Sequence, residues 1–171
     1  LEQQVCGFLD ADRDCLSDTT AFDVPAIIQL LLLCPRLRSL SLEYKKVPTV
    51  LLLAIGWHGE HLEFLNLTYS SIMIEPRVPL EVALRGCPKL EVLNLDFTRS
   101  WMCDADLKSI AKCCPKLTAL HVERSGLSDA AIAEFQRQLP RCRVIDRYRP
   151  YLQEIQGDSD SDDSDSLSDS D

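Results

Sequence analysis

The chain has 171 residues, 46% of them hydrophobic, enough to bury one domain-sized core. Seven of its 27 acidic residues fall within 157–171, where there is no Lys or Arg, so residues 1–156 hold 20 acidic against 18 basic side chains. That balance argues against a uniformly basic nucleic-acid surface. The longest purely apolar run, Val50–Ile55, is far short of the roughly 20 residues a membrane helix needs. There is no signal-peptide pattern and the first residue is Leu, so a fragment or processed chain is expected.

In chain order, Cys6, Leu9 and Ala11 give a weak first strand register. Asp23 and Pro25 then open a predicted helix with Ile27 and Leu30 on its apolar side. Cys34-Pro35 ends that helix, and Leu37, Leu40 and Leu42 alternate as on a strand. The same cycle follows in Leu52 and Ile55, then Gly59, then Leu62, Leu65 and Leu67. It recurs in Leu80 and Ala83 (after Pro79), Cys87-Pro88, then Leu90, Leu93 and Leu95. Asp104 starts the next turn of it, with Leu107 and Ile110, Cys114-Pro115, then Leu117, Leu120 and Val122. Asp129 starts the last, with Ile132 and Phe135, Leu139-Pro140, then Cys142, Ile145 and Arg147, where the inward pattern breaks.

The first strand positions of these units are spaced 25, 28, 27 and 25 residues, within the 20–29 window of leucine-rich repeats. The two helical positions of all five units, ten in total, are apolar. Chance would produce this with a probability on the order of 1 in 2,000 at this composition. The segment Cys-Pro-x-Leu is read as the hinge from helix to strand, because proline cannot continue a helix and pushes its predecessor toward extended geometry.

The pattern Cys-Pro-x-Leu-x-x-Leu-x-Leu, followed after a gap by Gly126-Leu127-Ser128-Asp129 and a helix, resembles the cysteine-containing leucine-rich repeat of F-box/leucine-rich-repeat proteins. The likeness covers about Cys6–Tyr148 and is strongest in the units at Cys34, Cys87 and Cys114. It departs from the family where Lys45, Ser70, Thr98 and Ser125 replace the cysteine after the strand, and no F-box segment is seen before the repeats. The resemblance implies an α/β fold: a right-handed leucine-rich-repeat solenoid, or horseshoe, with parallel strands on the concave face and helices on the convex face. The expected boundaries are 1–156 for the repeat domain, with a cap at about 147–156, and 157–171 for a disordered Ser/Asp tail.

In such a horseshoe the outward strand residues line the binding face. One expected column is Ser39, Phe64, Val92, Ala119 and Val144, and the next is Ser41, Asn66, Asn94, His121 and Asp146. A carboxylate column holds Glu43, Asp96 and Glu123, with Thr68 among them, and an aromatic column holds Tyr44, Tyr69 and Phe97 before Arg124 and Arg149. Aromatic rings beside carboxylates suit a protein partner carrying Lys or Arg. The protein-binding set is therefore Glu43, Tyr44, Phe64, Asn66, Tyr69, Asn94, Asp96, Phe97, His121 and Glu123. The bland alternative is ordinary solvated strand positions, with the rings merely covering loop backbone.

Chemistry has little foothold. His58, His61 and His121 are the only histidines, and no C-x-x-C pair accompanies them, so neither a metal site nor a cofactor is expected. Cys113-Cys114 reads as one buried and one partly exposed thiol, without a base to make either a nucleophile. The sequon Asn66-Leu67-Thr68 lies within an expected strand and reads as accidental. No catalytic residue is assigned, and the chain is expected not to be an enzyme. Eight cysteines without disulfide spacing suit a reducing compartment, cytoplasm or nucleus. In the tail, Ser159, Ser166 and Ser168 each precede Asp by three residues and resemble acidophilic kinase sites.

The resemblance thus implies a protein–protein interaction module, the substrate-recognition part of a ubiquitin-ligase receptor, reaching the F-box adaptor and cullin machinery through a part preceding Leu1. The alternative is a stand-alone regulatory or chaperone-like protein. It is similar in layout to acidic leucine-rich nuclear phosphoproteins, whose acidic tails hold basic clients.

Overall fold

A computed structural model describes residues 23–73, 80–98 and 101–147. Within them the chain runs through α1 (Val24–Leu33), β1 (Ser39–Ser41), β2 (Lys46–Pro48), α2 (Thr49–His58), β3 (Phe64–Asn66) and β4 (Ser71–Met73). It continues through α3 (Leu80–Leu84), β5 (Val92–Asn94), α4 (Asp104–Cys113), β6 (Ala119–His121), α5 (Asp129–Gln138) and β7 (Arg143–Ile145). The fold is α/β. Strands β1, β3, β5, β6 and β7 form one sheet in chain order, and each neighbouring pair is parallel. A parallel neighbour can be reached only by a crossover, and α2, α3, α4 and α5 provide the four crossovers. Strands β2 and β4 make a separate two-stranded parallel sheet that the leucine pattern did not signal.

Each main strand is three residues long, and its central side chain is the buried one: Leu40, Leu65, Leu93 and Leu120 are fully inaccessible and stand level with one another. The helical positions behind them, Leu52, Ile55, Leu80, Ala83, Leu107, Ile110, Ile132 and Phe135, are buried as well. Ile27 and Leu30 of α1 are only half-buried. Helices pack in series, α1 on α2, α2 on α3, α3 on α4 and α4 on α5, so among the described helices α1 has a neighbour on one side alone.

The hinge before proline leaves the helical region, as expected, but stops short of a fully extended backbone. Cys34, Cys114 and Leu139, each followed by proline, sit at φ/ψ of −116/69, −119/67 and −125/73, while Gly59, followed by Glu60, stays near the helical bridge at −86/16. The difference is the clash between the proline ring and the preceding residue. In all four the hinge N–H still closes the last helical turn, onto Leu30, Ile110, Phe135 and Ile55 respectively. The hinge thiol also reaches across units, since Cys87 Sγ lies 3.4 Å from the Ala83 carbonyl and 4.0 Å from that of Ile55, one helix over. A Cβ on Gly59 would meet Cys87 Sγ at 2.7 Å, so this small residue makes room for the next unit's sulfur.

Helix starts follow the sequence in part. The Asp23 carboxylate accepts from Ala26 N at 3.2 Å. Asp104 and Asp129 lie in first turns, behind the caps Cys103 and Ser128, and Pro79 falls outside the described residues. Ser128 also donates through N and Oγ to Asp104, at 2.9 and 2.6 Å, tying the start of α5 to that of α4.

The last unit corrects the sequence reading. Leu120 pairs with Val144, not with Ile145, and His121 pairs with Ile145. The turn before the strand is the same as in earlier units, Cys142 N bonding to Leu139 O as Leu117 N does to Cys114 O. Between turn and strand, however, one residue is missing. In β6 both Thr118 N and Ala119 N bond to Glu91 O, whereas in β7 Arg143 N alone takes the equivalent carbonyl, that of Thr118. Every later side chain therefore changes face. Val144 and Asp146, expected outward, are buried, and Ile145, expected inward, is half-buried on the outer face.

Candidate functional site

Parallel pairing continues beyond the three-residue strands. Leu42 N, Leu67 N and Leu95 N bond to the carbonyls of Asn66, Asn94 and His121, and Tyr44 N, Tyr69 N and Phe97 N to those of Thr68, Asp96 and Glu123. The Asn66 and Asn94 side chains shape this exit, accepting from the backbone N–H of Thr68 and Asp96 at 2.9 and 3.0 Å. This is a local preference of asparagine at turns. The sequon Asn66–Thr68 is thus folded into the sheet, and its threonine is buried.

At the end of each extended strand the chain turns left-handed. Tyr44, Tyr69, Phe97 and Arg124 have φ of 56, 52, 58 and 51°. This conformation costs about 1–2 kcal/mol for a residue with a Cβ. Its repetition sets the four side chains in one row. The rings of Tyr44 and Tyr69 are 4.7 Å apart and those of Tyr69 and Phe97 4.0 Å, each pair within 10° of parallel. The Arg124 guanidinium carbon lies 5.6 Å from the Phe97 centroid. The faces of Tyr69 are therefore taken by its neighbours, and Phe97 is enclosed between Tyr69 and Arg124. Tyr44 and Tyr69 remain 48% and 44% exposed, and Tyr44, at the end of the row, stacks on one ring among the described residues.

Beside the rings run Glu43, Thr68, Asp96 and Glu123. The side chains of Asp96 and Glu123 are only 16% and 14% exposed. Asp96 Oδ1 accepts the backbone N–H of Glu123 at 2.6 Å, and His121 Nδ1 is 4.0 Å from Asp96 Oδ2. Burial pushes the Asp96 carboxyl above its usual value even though that N–H and the nearby His121 and Arg147 pull the other way. Glu43, Phe64, Asn66, Asn94 and His121 are half-buried on the same face of the sheet. The slip in β7 adds a residue that sequence reasoning placed inward: Arg147 stands level with Glu123, its Nε 3.8 Å from Glu123 Oε2. Spacing gives no signal of it, because Cys142 keeps the leucine register and the missing residue shows only in the pairing of Arg143 N with the Thr118 carbonyl.

Cys87, Cys114 and Cys142 are buried thiols, which burial pushes up to about 12. In the Cys113-Cys114 pair the first is half-exposed and the second buried, as expected. Ser159, Ser166, Ser168, Arg149 and nearly all of the expected cap lie outside the described residues. No helix among the described residues is long and apolar enough to cross a membrane. A scan against protein-family models gives no match to this chain, and a search of curated proteins gives none either.

Proposed function

We propose that the chain is a right-handed leucine-rich-repeat solenoid serving as a protein–protein interaction module, and that it binds a basic segment of its partner along the outer face of the sheet. Chain-order strand pairing and the stacked inward leucines support the solenoid reading. The observation that carries the binding reading is the row Tyr44–Tyr69–Phe97 beside the poorly solvated carboxylates Asp96 and Glu123. The rings offer a rigid apolar edge, and the carboxylates offer acceptors that water reaches poorly, a combination typical of interface anchors. The resemblance to F-box/leucine-rich-repeat proteins extends the proposal to substrate recognition for a cullin-based ubiquitin ligase, in the cytoplasm or nucleus, a role that requires an F-box elsewhere in the polypeptide.

The run of seven aspartates without a basic residue in 157–171 favours a second reading, in which the tail itself holds basic clients. Fluorescence anisotropy with labelled Arg-rich and Lys-rich peptides at physiological salt separates the two. With the face as binding site, Tyr69→Ala combined with Phe97→Ala weakens binding by more than about 2 kcal/mol, and deleting 157–171 changes it little. Binding that survives the double substitution and disappears with the deletion moves the site to the tail. Binding that is no tighter than to a Glu-rich peptide overturns both.

A further inference from the structure

The slipped register of β7 puts a cation at the end of a row of acceptors. Level with one another, just past β1, β3, β5, β6 and β7, stand Glu43, Thr68, Asp96, Glu123 and Arg147. The middle of the row is nearly closed to water, Thr68 being 8% exposed and the carboxylates 16% and 14%. Among the described residues Thr68 Oγ1, in that row, has no hydrogen-bond partner. A buried hydroxyl is rarely left so, because it has given up water and received nothing in return. Among the described residues, His121 Nδ1 lies 4.0 Å from Asp96, and Arg147, whose side chain is 82% exposed, makes a long contact with Glu123 at 3.8 Å. Arg124 lies over Phe97. A loosely held, solvated arginine is a weak partner for a carboxylate this poorly hydrated.

We infer that Thr68, Asp96 and Glu123 form a subsite for one cationic side chain, lysine or arginine, of a partner protein, and that Arg147 is its internal occupant, displaced when the partner binds. The inference rests on the basic-partner reading above. An ammonium or guanidinium group has several donors and no acceptor, which matches two carboxylates and a hydroxyl that can turn its lone pairs inward. Arg147 makes the subsite selective, since an incoming group must outcompete a cation already present, and an uncharged side chain cannot.

The test titrates the full chain with acetylated, amidated tetra-arginine and tetra-lysine, with tetra-glutamate as control. It follows the Arg147 Nε–H signal and the side-chain carboxyl signals of Asp96 and Glu123 by NMR, together with affinity. On binding of a basic peptide, the Arg147 Nε–H signal is expected to shift as its contact with Glu123 is lost, while both carboxyl signals shift. Arg147→Ala, by removing the competitor, is expected to tighten binding about two- to fivefold, the range of one surface ion pair. Arg143→Ala removes the same charge from the same strand and should do less. Glu123→Gln and Thr68→Val should each weaken binding severalfold, and the Gln variant keeps the shape if the Val variant fails to fold. A basic peptide that binds while the Arg147 signal stays still, or binds no better to Arg147→Ala than to Arg143→Ala, overturns the subsite and leaves the module reading standing. Failure of both basic peptides to bind above the control overturns the module reading and the subsite together.

Discussion

The ring centroids of Tyr69 and Phe97 lie 4.0 Å apart and within 10° of parallel, although the two residues belong to different strand–helix units. Both have positive φ, so the backbone accepts an unfavourable conformation at each for the sake of the row. Stacked aromatic pairs contribute about 0.5–1.5 kcal/mol beyond the area they bury, comparable with the conformational cost of a left-handed residue.

That balance makes Tyr69 a test of backbone and ring separately. Tyr69→Ala is expected to lower stability by about 1–3 kcal/mol in urea unfolding, through the loss of both stacking partners. Tyr69→Gly should be no worse than the alanine variant, reversing the usual order at a non-glycine site, because φ of 52° suits glycine. A glycine variant clearly less stable than the alanine one would show that the left-handed turn is not a strained position.

Asp96 is expected to separate stability from binding. Its carboxyl is held above the usual range by burial, so its contribution to stability is present below the unfolded value of 3.8 and is lost as pH rises through the folded value. At pH 7 the charged form is a burden, and Asp96→Asn keeps an acceptor for the Glu123 N–H. The variant should melt no lower than the parent at pH 7 while binding basic peptides severalfold more weakly. A drop in melting temperature would mean that charge at this position stabilises the fold.

Burial raises the thiols of Cys87, Cys114 and Cys142 from 9.0 to about 12. The unfolded chain releases these protons first, so stability is intact below about pH 9 and declines from there toward 12, each thiol adding about 1.4 kcal/mol per pH unit at most. These three cysteines should resist alkylation at pH 8 until the chain unfolds, whereas half-exposed Cys113 reacts in the native state. Mass spectrometry of alkylated peptides reads both.

Packing supplies the last expectation. Leu93 is fully buried in the strand row, and Leu93→Ala should cost about 2–5 kcal/mol. Gly86→Ala should be at least as disruptive as typical overpacking, about 1–3 kcal/mol, because its Cβ would run into the Gly56 carbonyl oxygen. A Gly86→Ala variant with unchanged denaturation midpoint would contradict this close approach after α3.

The inward positions were legible in the sequence because burial alone selects them: Leu40, Leu65, Leu93 and Leu120 recur with strand alternation, and Leu107, Ile110, Ile132 and Phe135 with helical spacing. The hinge was legible at Cys34 and Cys114 because proline acts on its own predecessor, whatever surrounds it. The last strand was not. Cys142 matched the leucine position by spacing, yet register is decided by which backbone groups pair, and Arg143 N taking the Thr118 carbonyl turned Val144 inward and Arg147 outward. The sequence placed the aromatic residues in one column but said nothing of ring orientation. Positive φ at each and a strand separation that matches ring stacking set the rings face to face and cover both faces of Tyr69. Nor could spacing reveal the approach of Gly56 to Gly86, the two-stranded sheet of β2 and β4, or the unpartnered Thr68 hydroxyl. Periodicity in one chain reports which side of an element is buried. Which atoms of neighbouring units meet is fixed only when the units pack, and there a single residue of slip exchanges the two faces of a strand.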